Sequence, residues 1–125
     1  MYNKTVTIWH NKNCSTSKKM LDWLTTNFKE VKIRLYTQEI PSIEELKELI
    51  SLMNVDIKGI IRTKDKVFQN EFKDKDLTKE EWLEALHNNP TMIERPIIIF
   101  DDKAIMGRPV DEAIEKIILF IENKK

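Results

Sequence analysis

The chain is predicted to be an α/β domain: a mixed four-stranded sheet flanked by helices, with a helical insertion between the two halves of the sheet. Three observations predict it. A β-branched run, a helical pattern and a second alternating run follow one another at the N-terminus, a succession that commonly places the two strands parallel. The middle of the chain, between Ile40 and Pro96, is mainly helical and carries two helix-start signatures. Beyond it come two short apolar runs joined by an acidic turn, and then an amphipathic helix. A length of 125 residues suits one domain, residues 1–125, and a hydrophobic content of 41% supports a folded core over disorder.

Each element has its own signal. Thr5-Val6-Thr7-Ile8-Trp9 is β-branched and aromatic and predicts the first strand. From Ser15 or Thr16 the period changes, and Met20, Leu21, Leu24 and Phe28 form one face of a helix with Trp23 beside it. Val31, Ile33 and Leu35 alternate with Lys32, Arg34 and Tyr36 as a second strand. Pro41 holds its neighbour extended, and Ser42 with Glu45 makes a capping box in front of Leu46, Leu49, Ile50 and Met53. Asp56 to Ile61 reads as a short helix or turn, and the charged stretch from Lys64 to Lys79 as solvated surface. Thr78 with Glu81 is a second capping box, before Trp82-Leu83-Glu84-Ala85-Leu86, and Asn89-Pro90 is a stop. Ile97-Ile98-Ile99-Phe100 suits a sheet interior. Asp101-Asp102-Lys103 turns the chain into Ala104-Ile105-Met106, and Val110, Ala113, Ile114, Ile117, Ile118 and Ile121 recur at helical spacing. This order fits a mixed central sheet covered by helices, as in the thioredoxin architecture, and leaves two-layer α/β arrangements open.

Charge and cysteine usage narrow the function. Lys and Arg number 21, as do Asp and Glu, so no nucleic-acid or membrane partner is expected from net charge. The single cysteine excludes an internal disulfide and a cysteine-built zinc site. His10 and His87 are far apart, so no metal is expected. No apolar run reaches membrane-spanning length, and the strand pattern begins within the first residues, so no signal peptide and a reducing, cytoplasmic setting are expected.

That cysteine, Cys14, lies in His10-Asn11-Lys12-Asn13-Cys14-Ser15-Thr16-Ser17, between a strand and a helix start. Unpaired amides of a first helical turn, the helix dipole and nearby cations all favour a thiolate there. A lone cysteine is more often a small buried hydrophobe, a reading that polar neighbours on both sides weaken. If Cys14 is catalytic, the thiol that resolves it must come from outside the chain.

The segment His10 to Ser17, followed in order by Arg62, Glu94-Arg95-Pro96-Ile97-Ile98 and Gly107-Arg108-Pro109, resembles the glutaredoxin-dependent arsenate reductase family over nearly the full chain. The resemblance implies a thioredoxin-like core with an inserted helical region. It implies a catalytic set of Cys14, Arg62, Arg95 and Arg108, with His10 assisting the thiol by electrostatics or hydrogen bonding; a structural strand-end histidine is the other reading. Substrate would meet Cys14, Ser15, Thr16, Ser17 and the three arginines, although Thr16 or Ser17 also suits helix capping. Pro96, preceded by a cis bond, would shape the substrate surface, and Gly107 and Pro109 would position Arg108. The chemistry is coherent: planar guanidiniums bind an oxyanion bidentately and also keep a thiol deprotonated.

The resemblance further implies arsenate or a related oxyanion as substrate, glutathione as external reductant, glutaredoxin as partner, and no tightly bound cofactor. The family loop commonly has proline and glycine where this chain has Lys12 and Ser15, which puts the identity of the oxyanion in question. The competing class is a regulator resembling the Spx transcription regulators, which share the fold and bind RNA polymerase. Their redox-sensing form has two cysteines separated by two residues, and Cys14-Ser15-Thr16-Ser17 lacks the second.

Overall fold

In the computed structural model, which describes residues 2–123, β1 spans Tyr2–Trp9, α1 Ser15–Asn27, β2 Phe28–Arg34, α2 Ile43–Met53, α3 Lys79–Asn88, β3 Ile97–Phe100, β4 Lys103–Met106 and α4 Val110–Asn123. The chain divides into two compact units, one formed by the residues up to Arg34 together with those from Arg95 onward, the other by Leu35–Glu94.

The first unit holds the sheet, in the order β2-β1-β3-β4. β1 runs parallel to β2, with Val6 beside Val31, and antiparallel to β3, with Ile8 beside Ile98. β3 and β4 form a hairpin whose turn places Asp101 at φ 51°, a left-handed conformation that Asp tolerates better than most residues. Val6, Ile8, Ile98 and Phe100 share a core with Met20 and Leu24 of α1 and with Ala113, Ile117 and Ile121 of α4. The helical stripes and the strand alternation therefore meet on one surface, as their periods require.

Three strand-end readings are corrected. β1 begins at Tyr2, earlier than Thr5. Phe28 is the first residue of β2 and not the last of the helix face: its backbone is extended at φ −113° and ψ 142°. Its ring still joins the same core, 5.2 Å from Tyr2 and 6.1 Å from Trp23 between centroids, so the apolar spacing was satisfied by a chain that had already left the helix. β2 is an edge strand that stops at Arg34, and its Ile33 is 48% exposed. Tyr36 belongs to the second unit, where it is fully buried and donates from its hydroxyl to the Ile93 carbonyl at 3.4 Å.

In the second unit both capping boxes form, Ser42 with Glu45 and Thr78 with Glu81. α2 ends on Asn54 in the left-handed conformation and packs against α3. A single 3₁₀ turn covers Ile57–Ile60, and an isolated antiparallel bridge joins Ile61 to Ile93. The stretch from Lys64 to Lys79 is more than solvated surface: Phe68–Phe72 forms a π-helical turn. Phe68 stacks on Trp82 at 6.2 Å and Phe72 sits 5.9 Å from the same ring. Two aromatics four residues apart were hidden among charges in the sequence, and packing both against one indole organises that segment.

Candidate active site

The loop after β1 is shaped by Asn11. Its side-chain oxygen accepts from the Asn13 amide at 2.8 Å, and its carbonyl accepts from the Cys14 amide at 3.2 Å. This turn delivers Cys14 to the N-cap of α1, with an extended backbone at φ −107° and ψ 119°, while its carbonyl accepts the first helical bond from Lys18 at 3.0 Å. No side-chain hydrogen bond caps the helix, and the open first-turn amides of Thr16 and Ser17 lie near enough to the Cys14 sulfur to lower its pKa. Asn11 is the residue that reading for chemistry passed over; its preference for Asx turns is the signal that identifies it.

Two arginines arrive from the other end of the chain. The Arg95–Pro96 and Arg108–Pro109 bonds are both cis. The Gly107 amide donates to the Pro96 carbonyl at 2.7 Å, which fixes the exit of β4 against the entry to β3. Arg108 then makes two contacts at once: Nε donates to the Arg95 carbonyl at 2.8 Å, and Nη2 reaches Cys14 Sγ at 3.4 Å. The Arg95 guanidinium also lies near enough to the Cys14 sulfur to lower its pKa. Gly107 is required by this close approach, because a Cβ there would lie 2.6 Å from Pro96 Cγ and 3.0 Å from the Pro96 carbonyl oxygen. Gly107→Ala is expected to lower stability by about 1–3 kcal/mol and to raise the thiol pKa as Arg108 is displaced; denaturant unfolding and thiol titration check the two effects separately.

His10 and Ser17 form a buried pair, at 5% and 0% exposure, with Nδ1 and Oγ 2.7 Å apart. Ser17 Oγ also accepts from the Asn11 amide at 3.1 Å. With neutral His10 in its Nε2–H form, the Ser17 hydroxyl donates to Nδ1 while its oxygen accepts from the Asn11 amide. Burial, then the charges of Lys12 and Lys18, lower the His10 pKa, which favours that neutral form. The Ser17 hydroxyl is thus engaged by His10 and Asn11; what Ser17 directs at the thiol is its amide. Ser17→Ala would strand His10 Nδ1 and the Asn11 amide in the interior. A loss of about 1–3 kcal/mol in unfolding free energy is expected, and an unchanged denaturation midpoint would contradict this account.

The thiol itself is the balance of opposing effects. Burial alone would raise the Cys14 pKa; the Ser17 amide, the Arg95 guanidinium, the Thr16 amide and the Arg108 charge outweigh it and hold the thiol below its ordinary range. A group whose folded pKa is depressed contributes stability that is present above its unfolded pKa and lost as pH falls through the folded one. Thiolate absorbance should therefore titrate below the free-cysteine value of about 8.5; a midpoint at or above that value would refute the activated thiol.

Comparison with known proteins bears directly on this constellation. The profile of the ArsC family matches residues 9–117, a span containing Cys14, Arg95 and Arg108. The chain belongs to the ArsC family. The arsenate reductase of Haemophilus influenzae is 34% identical over 113 residues, covering 89% of this chain and 97% of its own. The solved arsenate reductase from Vibrio cholerae superposes with a TM-score of 0.83 at 28% identity, over 91% of this chain and 98% of its own. The regulatory protein MgsR of Bacillus subtilis is 30% identical over 103 residues, 82% of each chain. The sheet order and inserted helices are those of a thioredoxin-like fold.

Of the sequence candidates in this ArsC-family chain, Cys14, His10, Thr16, Ser17, Arg95, Pro96, Gly107, Arg108 and Pro109 all belong to the first unit. Arg62 belongs to the second, where Nη1 donates to Glu94 Oε1 at 3.3 Å and its amide donates to the Met92 carbonyl at 2.7 Å. Ser15 and Lys12, the two departures from the family loop, are both exposed. Among the described residues no group of three or more His, Cys, Asp or Glu side chains could hold a metal ion, and no helix is long and apolar enough to cross a membrane.

Proposed function

We propose that this protein reduces arsenate to arsenite in the cytoplasm, with Cys14 as nucleophile and glutathione as the external thiol. The observation that carries the reading is the Cys14 sulfur at the N-cap of α1, 3.4 Å from Arg108 Nη2, with Arg95 and the first-turn amides lowering its pKa. The thiolate attacks arsenic, a protonated oxygen leaves as water, and a Cys14–arsenic(V) adduct forms. Glutathione then attacks the Cys14 sulfur. The sulfur–arsenic bond breaks, its electron pair stays on arsenic, and arsenite departs from a Cys14–glutathione disulfide. Glutaredoxin takes up the glutathionyl group and returns Cys14 to its thiol.

In this reading Arg95 and Arg108 neutralise the oxyanion and disperse charge in the transition state. Arg62 is assigned as a third guanidinium on the resemblance of its motif alone. Ser15 and Thr16 complete the surface that substrate meets. His10 acts through Ser17 as a positioning residue, holding the first turn of α1 so that its amides stay on the sulfur. No resident cofactor is invoked, because two thiols supply both electrons.

The test is NADPH oxidation by purified protein with arsenate, glutathione, glutaredoxin and glutathione reductase. Oxidation that requires both arsenate and the protein is expected. Absence of turnover with several thiol donors would favour a regulatory role, the class of the MgsR relative.

A further inference from the structure

We propose that the groove beside Cys14 recognises the thiol reductant, and that Asp111 selects that reductant by its ammonium group; the inference rests on the thiol chemistry proposed above. The groove has a volume of about 630 Å³ and is lined by Thr16, Lys19, Arg108, Pro109, Val110 and Asp111. Two of its lining residues, Arg108 and Thr16, lie next to the reacting cysteine. Arg108 Nη2 is 3.4 Å from Cys14 Sγ, and Thr16 lies in the helical turn that Cys14 opens. A tetrahedral oxyanion fills only a small part of such a space, which falls in the range of roughly 300–1,000 Å³ typical of clefts for larger organic ligands.

The lining specifies the kind of ligand. Lys19 and Arg108 offer cations, Asp111 a carboxylate, and Pro109 with Val110 a short apolar surface. Among the described residues, the side chains of Thr16, Lys19 and Asp111 make no hydrogen bond or ion pair, so their polar ends are uncommitted. The opening turns of α1 and α4 both border the groove and favour negatively charged groups. Within this positive field Asp111 is the one lining group that suits a cation. A thiol bearing two carboxylates and one ammonium, as glutathione does, matches that arrangement in sign. A small neutral thiol engages none of it.

Reaction of the reduced protein with oxidised glutathione tests this without arsenate. The Cys14 thiolate attacks one disulfide sulfur, the sulfur–sulfur bond breaks, a Cys14–glutathione disulfide forms and one glutathione thiolate leaves. Rate constants are measured by mass spectrometry for oxidised glutathione and for the disulfide of N-acetylated glutathione, which lacks only the ammonium, remote from sulfur. The wild type should prefer oxidised glutathione by about fivefold, the value of one partly exposed ion pair. Asp111→Asn should abolish the preference, and Asp111→Lys should invert it. Equal rates in the wild type, or an unaltered preference in both variants, would overturn the proposal. A Cys14 that reacts with neither disulfide would instead refute the activated thiol, and the assignment of the groove with it.

Discussion

Cys14→Ser is expected to abolish arsenate-dependent thiol oxidation, lowering the rate by about 10³-fold or more, while the fold survives. The sulfur contributes no cap to α1 and is only half buried, so its replacement removes chemistry and little packing. Serine is a favoured residue at a helix N-cap, so the start of α1 tolerates it. Its hydroxyl ionises far above the working pH, however, and cannot form either the adduct with arsenic or the disulfide with glutathione. The coupled assay measures the loss, and circular dichroism with thermal unfolding confirms the fold. A folded Cys14→Ser protein that turned over near the wild-type rate would eliminate Cys14 as nucleophile.

Arg108→Lys is expected to lower kcat/KM for arsenate by about 10- to 100-fold, the cost of one or two charge-assisted hydrogen bonds. The reason is that Arg108 uses two nitrogens in different directions, Nε on the Arg95 carbonyl and Nη2 on the Cys14 sulfur. A single ammonium keeps the charge but cannot reach both. The thiol pKa should rise in the same variant, because the Arg108 charge is one of the causes that lower it. Arg95→Lys should act in the same direction. Steady-state kinetics and thiol titration on one preparation separate the two consequences. Unchanged values of both in Arg108→Lys would show that the bidentate geometry is irrelevant.

Much of the architecture was legible because it is encoded locally. The capping boxes at Ser42 and Thr78 each involve residues three apart, and both form as their sequences require. Ile97–Phe100 lies inside the sheet because a short apolar run of this kind needs cover on both faces. Errors arose where one period imitated another. Phe28 continued the helical spacing of Met20 and Leu24, yet it reaches their core from a strand. Phe68 and Phe72 carry no strong signal by themselves; Trp82 packs against both, and it lies beyond the charged segment that contains them.

The site divides in the same way. By itself the sequence determined that a lone thiol opens a helix after a strand, that no second cysteine in the chain can resolve it, and that three arginines stand in family motifs. These are matters of residue identity and of order along the chain. Only the tertiary structure decided which groups reach the sulfur. Arg108 is separated from Cys14 by 94 positions, and β3 and β4 close that distance by pairing into the same sheet as β1. The roles of His10 and Ser17 were decided there too. A histidine at a strand end can face solvent, substrate or core, and burial beside the Ser17 hydroxyl selects the core. Hydrogen bonds and charges act over a few ångströms, so their partners are set by the folded path of the backbone and not by spacing in the chain.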